Sequence, residues 1–317
     1  MARPGKVNLK NIRTISIHNR KSTVGVGAFG KPFDPSVGSF PAFIASLPKI
    51  LAADELRRFA ADVLKSRRAG KPVIAMIGAH VVKVGLSPVL IDLIDRKVLT
   101  CVAMNSAAAI HDAEAALWGV TSEDVAASLA DGSFGMSRET GEFINGTLNR
   151  AYRKGGAGYG EALGRALLKA PHTRLSILAA CVREGIPATV HAAIGTDIVH
   201  QQPTMNGAAT GELSFRDFRI LCSQVGELRG GGVVMNIGSA VVLPEVFLKA
   251  LTVARNLGAR ARGFTTANFD MIQHYRPRLN VVARPASGGG RGYLFTGHHE
   301  IMIPLLAAMI KLGVPAR

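Results

Sequence analysis

The chain has 317 residues, 48% of them hydrophobic, and carries 38 Lys and Arg against 22 Asp and Glu, a formal net charge of +16. So much apolar content over this length excludes intrinsic disorder and a disulfide-stapled miniprotein, because a large core can be buried. The positive sign invites nucleic acid, but aromatic residues make up only 6%, and no helix-turn-helix, zinc-finger or base-stacking signature is present. Charge alone attracts phosphates without reading bases, so nucleic acid is set aside as a partner. No apolar run reaches the roughly 18 to 20 residues of a membrane helix. The basic start, residues 1–6, leads into no apolar leader segment, and a cytoplasmic location is expected. Cys101, Cys181 and Cys222 are odd in number, widely spaced and set in apolar runs, which suits buried thiols better than disulfides or a metal knuckle.

In chain order, residues 1–50 mix Lys, Arg, Gly, Pro and Ser without a sustained period and read as an arm or irregular cover. A helix is predicted over 54–64, where acidic residues precede apolar ones at helical spacing. Short apolar runs then predict strands at 72–78, 99–105, 187–193, 231–236 and 261–267. Helical patterns fall at 87–96, 108–118, 122–130, 138–153, 161–169, 174–184, 215–228, 243–257 and 300–312. Continuous apolar strands flanked by amphipathic helices are the pattern of a mostly parallel sheet covered on both faces. The expected architecture is therefore α/β, a doubly wound Rossmann-like sheet, forming one domain over residues 51–317.

In such a sheet the ligand sits beyond the carboxyl ends of the strands, near helix N-termini. The predicted strand ends carry Gly78-Ala79-His80, Asn105-Ser106-Ala107, the stretch from His191 to His200, Asn236-Ile237-Gly238 and Thr265-Thr266-Ala267-Asn268. No Gly-x-Gly-x-x-Gly fingerprint, phosphate-binding Walker loop or Gly-x-Ser-x-Gly elbow occurs in the required setting. His111, with Asp112 and Glu114 beside it near a helix start, is the candidate for proton transfer, and either acid could orient it. Lys83 sits between a strand end and a helix, where it could meet a phosphate or act as an amine nucleophile, or be a plain surface cation. Arg276, Arg278, Arg284 and Arg291 could clamp an anion or form a loose basic loop. Asn236 could reach a substrate. His191, Asp197 and His200, or His298 and His299 with Glu300, could be considered as metal ligands. Histidines adjacent in sequence diverge on a helix, however, and the spacing is not that of a zinc helix, so no metal is expected.

The run from Gly78 to Leu86, followed by Asn105-Ser106-Ala107 and His111-Asp112-Ala113-Glu114, resembles strand-loop-helix segments of deoxyhypusine synthase. Gly230-Gly231-Gly232-Val233-Val234 is similar to that family's triple-glycine strand, Phe264-Thr265-Thr266-Ala267 to its Asn-Thr-Ala strand end, and Ile303-Pro304-Leu305-Leu306 to its closing helix. The resemblance implies a Rossmann-like domain binding NAD near a subunit interface of a homo-oligomer, a dimer or tetramer. By position, the NAD contacts would fall on Ala79, His80, Val81, Val82, Lys83, Asn105, Ser106, Ala107, Gly231, Thr266, Ala267, His298 and His299. The family carries a butylamine group on a lysine as an imine. Here Met235-Asn236-Ile237 replaces the family's Lys-His-His, and residues 284–291, which replace the segment holding that lysine, contain none. The resemblance therefore implies a retained cofactor half and an altered substrate half: a small amine or other substrate handled by NAD-dependent hydride chemistry with His111, Asp112 and Asn236 at the site. A noncatalytic ligand-binding protein is the alternative, as is a genuine deoxyhypusine or homospermidine synthase using a relocated lysine such as Lys83.

Overall fold

Apolar residues in the N-terminal stretch fall without helical or strand period, and over residues 5–30 the backbone makes only single turns. The computed structural model describes residues 5–315, which divide into two units, one ending at Asp54 and the other beginning at Glu55. In the first, the 3-10 turns Leu9–Asn11, Ile17–Asn19 and Val26–Ala28 contain no buried residue. A short helix not anticipated from the sequence, α1 (Phe40–Ser46), starts where the Ser39 hydroxyl accepts a bond from the Ala42 N–H at 3.5 Å, an N-cap arrangement. Phe43 meets Phe33 edge to face at 5.4 Å. Helix α2 (Leu51–Arg68) begins in this unit and continues into the next.

The second unit alternates strands and helices: β1 (Val73–Ile77), α3 (Ala79–Lys83), α4 (Ser87–Asp95), β2 (Cys101–Asn105), α5 (Ser106–Trp118), α6 (Val125–Leu129), α7 (Arg138–Lys154), α8 (Tyr159–Leu167), α9 (Ile177–Glu184), β3 (Ala188–His191), α10 (Gly207–Gly226), β4 (Val233–Ile237), α11 (Val242–Asn256), β5 (Thr265–Asp270), α12 (Arg284–Ala286), β6 (Arg291–Thr296) and α13 (His299–Lys311). A π-helical turn, Pro277–Ala283, runs into α12. All residues of β1, β3, β4 and β5 are buried, so helices must cover both faces of the sheet.

The sheet order is β3-β2-β1-β4-β5-β6, with every pair parallel. The chain winds outward from β1 to β3, returns to β4 and winds outward again. This is the doubly wound architecture expected from the sequence, with its switch point between β1 and β4. On one face Ile74, Met76, Cys101, Ala103 and Val234 pack with Leu221 and Val225 of α10 and Phe247 and Leu251 of α11. Beyond β5, Phe59 of α2 lies 5.6 Å from Phe269 and 5.8 Å from Phe295.

Several sequence boundaries shift: the helix expected over 215–228 starts eight residues earlier, as α10, β3 ends at His191 and β4 starts at Val233. β5 starts at Thr265, four residues later than the apolar run suggests, so its carboxyl tip is Asp270. β6 lies in what reads as a Gly-rich loop, because an edge strand buries only alternate residues, here Tyr293 and Phe295.

Gly78 holds the switch point. Its N–H donates to the Ile237 carbonyl at 2.9 Å, and a Cβ at this position would lie 2.1 Å from the Gly238 oxygen. Gly78→Ala is therefore expected to force β1 and β4 apart at their tips and to destabilise the chain by about 2–3 kcal/mol, measured by urea unfolding.

Candidate functional site

Helix α5 begins directly at the tip of β2, where the Asn105 side chain accepts a bond from Ala108 N–H at 2.9 Å and fixes the helix start. Along it, Ala107, Ile110, His111, Glu114 and Trp118 share one stripe and line a cavity of about 720 Å³ at the carboxyl edge of the sheet. That size suits a small ligand or part of a cofactor, since such sites occupy about 300 to 1,000 Å³. Lys83 at the end of α3, Ser137, Glu139 and Thr140 around the start of α7, and Thr196, Asp197 and Ile198 after β3 complete much of the wall. Gly119, at φ +71°, ends α5 in the left-handed region and turns the chain so that Thr121 comes back to His111. Ser122, also on the wall, holds φ +70° without being glycine.

The polar centre is a relay. The Thr121 hydroxyl donates to Glu114 Oε2 at 2.5 Å, so the 2.6 Å contact between Thr121 Oγ1 and His111 Nδ1 places the imidazole proton on Nδ1 and the lone pair on Nε2. Thr140 donates to Glu114 Oε1 at 3.0 Å. Burial pushes the Glu114 carboxyl up, but the His111 imidazole 3.7 Å away and the hydrogen bonds from Thr121 and Thr140 outweigh it and hold the group below its ordinary value.

A second carboxyl on the same cavity lies in an opposite environment. Asp197 accepts a short hydrogen bond from the Ser106 hydroxyl. His200 Nδ1 accepts the Gly195 and Asp197 N–H groups at 3.2 and 3.1 Å, and its Nε2 lies 3.9 Å from Asp197 Oδ2. Burial raises the Asp197 carboxyl above its ordinary value despite the opposing influence of Ser106, His200 and His111. His191 is buried against Thr189 Oγ1 at 3.0 Å, and burial holds its imidazole down at about 3. Among the described residues no three His, Cys, Asp or Glu side chains gather as a metal-binding group.

Of the residues expected at the site, Lys83, Ala107 and His111 meet at the cavity, while Asn105 and Ser106 shape its floor. Asp112 is placed elsewhere. Fully buried on the opposite stripe of α5, it accepts bonds from the Ser176 hydroxyl and the Ile177 N–H, each at 2.6 Å, and anchors the start of α9. Asn236 is also fully buried, its amide donating to Ser239 O at 2.9 Å and Asn268 Oδ1 at 2.7 Å. Gly231 precedes β4 and so lies at the amino edge of the sheet, away from the strand tips. Thr266 and Ala267 sit in the first half of β5, not at its carboxyl end. Val81 and Val82 turn their side chains into the core.

Ala79 and His80 open α3 at the switch point. His299 is buried there, with Nε2 3.1 Å from Phe269 O, its ring 5.6 Å from that of His80, and Nδ1 without a partner among the described residues. His298 is the exposed cap of α13, near Glu300 at 3.7 Å. Thr121 and Thr140 escape the sequence reading as contributors to this centre, since single hydroxyls carry no periodic signal, while Ser106, expected as a cofactor contact, donates to Asp197.

No family model matches this chain, and no curated protein matches it. Solved structures do. A conserved protein assigned to the LOR/SDH group from Methanococcus maripaludis aligns over 82% of this chain and 69% of its own at 16% identity, with a TM-score of 0.50. The ternary complex of AgrE with ornithine and NAD+ aligns over 81% at 13% identity and a TM-score of 0.51, this chain spanning only 33% of its length. A protein assigned as deoxyhypusine synthase from Entamoeba histolytica aligns over 88% of this chain and 96% of its own at 10% identity and a TM-score of 0.50. The chain has the deoxyhypusine synthase-like fold.

Two outcomes follow from these surroundings. Burial raises Asp112 to about 6 from 3.8, so between these values the folded chain holds more protons than the unfolded one, and its stability falls as pH rises through that window. Asp112→Asn is expected to flatten that part of the stability–pH curve measured by urea titration, and an unchanged slope would assign it to other groups. Thr121→Val removes a donor from Glu114 and should move the Glu114 titration upward, read by carbon-detected NMR of the side-chain carboxyl.

Proposed function

We propose that this chain is an NAD-dependent enzyme acting on a small amine-bearing substrate, with His111 as the proton acceptor. The observation that carries this reading is the Glu114–Thr121–His111 relay, set in a cavity whose other acidic residues are Glu123, Glu139 and Asp197, with Lys83 the one Lys or Arg among its described lining residues. In a chain of net charge +16 an acid-rich cavity is a local inversion of sign, and it favours a cationic amine over an anionic substrate. AgrE, of similar fold, forms its ternary complex with an amine, ornithine, and NAD+.

The carboxyl edge fits a dinucleotide on two observations. The buried His299 Nδ1 lacks a partner beside Gly238, at the switch point where such folds take their ligands. Lys83 and the first turn of α5 at Ala107 bring a cation and helix amides to the nearer wall of the cavity. His80, Lys83, Ser106, Ala107 and His299 would hold the cofactor. Bound there, NAD supplies the hydride acceptor for oxidation at the carbon bearing the amine.

The chain's own residues do the rest. Glu123 and Glu139 pair with the substrate ammonium and orient it. His111 Nε2, left as the basic nitrogen by the bond from Nδ1 to Thr121, takes the proton released from the substrate nitrogen. Ionised Glu114 stabilises the resulting imidazolium through Thr121.

The test is calorimetric titration with NAD, followed by reduced-nicotinamide absorbance across ornithine, putrescine and spermidine. Turnover should appear with at least one amine. His111→Ala should lower it by about 10²- to 10⁴-fold while NAD binding persists. No binding heat and no turnover with the wild-type chain would sink the reading. Because Lys83 lines the same cavity, borohydride trapping with spermidine in wild type and Lys83→Arg shows whether an imine forms on it.

A further inference from the structure

Helix α7 borders two cavities. Its first turn lines the one already described, whereas its last two turns, with α8, form the walls of a separate cleft of about 580 Å³. The two share no lining residue, and their charges are opposite. In the cleft, Arg150 and Lys154 stand on the α7 wall and Arg165 on the α8 wall, with Glu161 the one acid among the described lining residues. Between the walls the chain turns through Gly155-Gly156-Ala157-Gly158. Arg216 of α10 donates to the Ala157 carbonyl at 3.2 Å and fixes that turn.

The three cations differ in what already holds them. Arg165 Nε and Nη2 reach Glu161 Oε1 at 2.8 and 2.6 Å, one turn back on the same helix. Arg150 donates to the Thr147 hydroxyl at 3.0 Å, and neither Arg150 nor Lys154 meets a carboxylate among the described residues. Four residues apart, these two cations are neighbours on one helix face and repel. An anion between them removes that repulsion. The Thr147 oxygen accepts from Arg150, so its own proton is left to donate to such an anion. From the core side, Asp217 accepts the Gly160 N–H at 2.8 Å, so the start of α8 is already capped and the donors of the cleft are side chains.

We infer that this cleft binds a small molecule carrying two linked phosphate groups. One phosphate sits with Arg150, Lys154 and the Thr147 hydroxyl, and the other reaches Arg165 on the facing wall. A guanidinium offers two parallel donors to phosphate oxygens, and a lysine adds a compact charge. The second phosphate competes with Glu161 for Arg165, which a single phosphate held on the α7 wall does not. The volume lies within the roughly 300 to 1,000 Å³ of small-ligand sites and leaves room for a carbon skeleton over Ala151 and Ala166. No aromatic residue is among the described lining residues, so recognition falls on the phosphates and not on a stacked ring. A net charge of +16 draws any anion toward the chain, but cations on two facing walls select one long enough to bridge them. The ligand of the first cavity has no part in this recognition.

Calorimetric titration of the full chain with pyrophosphate at low ionic strength tests it. One site per chain is expected, with inorganic phosphate bound more weakly. Arg150→Gln combined with Lys154→Gln should weaken pyrophosphate binding by at least about tenfold. Lys65→Gln combined with Arg68→Gln removes the same charge from the end of α2, which packs near β6 while α8 packs on β3, at the other edge of the sheet; it should change the affinity by less than about twofold. Glu161→Gln should tighten binding by releasing Arg165, and Glu55→Gln, the same charge change on α2, should not. Lys83→Gln should leave the affinity unchanged, since a loss there would put the anion in the first cavity. No binding heat with pyrophosphate, equal affinity for one phosphate and two, a cleft variant that binds like wild type, or an α2 variant weakened as much as the cleft variant would each overturn the inference.

Discussion

Every strand pair in the sheet is parallel, and that constraint decides where chemistry can occur. Six carboxyl ends lie on one edge, and the connections to the following helices present helix N-termini there. Keeping β1 and β4 adjacent at the switch point requires a backbone approach that only glycine permits, at Gly78 against Gly238. From that pairing the two halves of the sheet diverge. The β2 and β3 side opens into the cavity under α5, while the β4 and β5 side is closed by the Asn236–Asn268 pair.

The division between open and closed halves explains what could be read from the sequence. A buried parallel strand leaves an unbroken apolar run and an amphipathic helix leaves a stripe, so the alternation and the doubly wound class were visible in residues 72–257. The tip residues of β2 were legible for the same reason: the run to Asn105 ends abruptly and a helix follows. The tips of β4 and β5 were not, because Asn236, Thr266 and Asn268 are polar residues inside strands, and a polar residue in an apolar run reads as the end of the run. β6 was hidden by its single buried face and the glycines preceding it.

Side-chain direction is where the reading of adjacent residues gave out. His111 and Asp112 are neighbours in sequence, yet on a helix consecutive residues point about 100° apart, and here one enters the cavity while the other enters the core under α9. Glu114, three residues on, shares the face of His111. Thr121 reaches the pair only because Gly119 reverses the chain, a tertiary consequence that no periodic pattern in the helix announces.

The cavity's acids are not equivalent, and the difference bears on proton handling. Glu114 has two hydrogen-bond donors and the nearby His111 to compensate its burial and favour the charged form, whereas Asp197 is more deeply enclosed and its hydrogen-bonding and charged neighbours do not offset the cost of ionising. The two carboxyl groups of one site are thus driven in opposite directions, Glu114 toward its charged form and Asp197 toward its neutral form. His111 feels both: it is bridged to Glu114 through Thr121, and its charge acts on Asp197. Positive charge on His111 favours the ionised form of Asp197. The relay and the buried acid are therefore joined through the imidazole that lies between them.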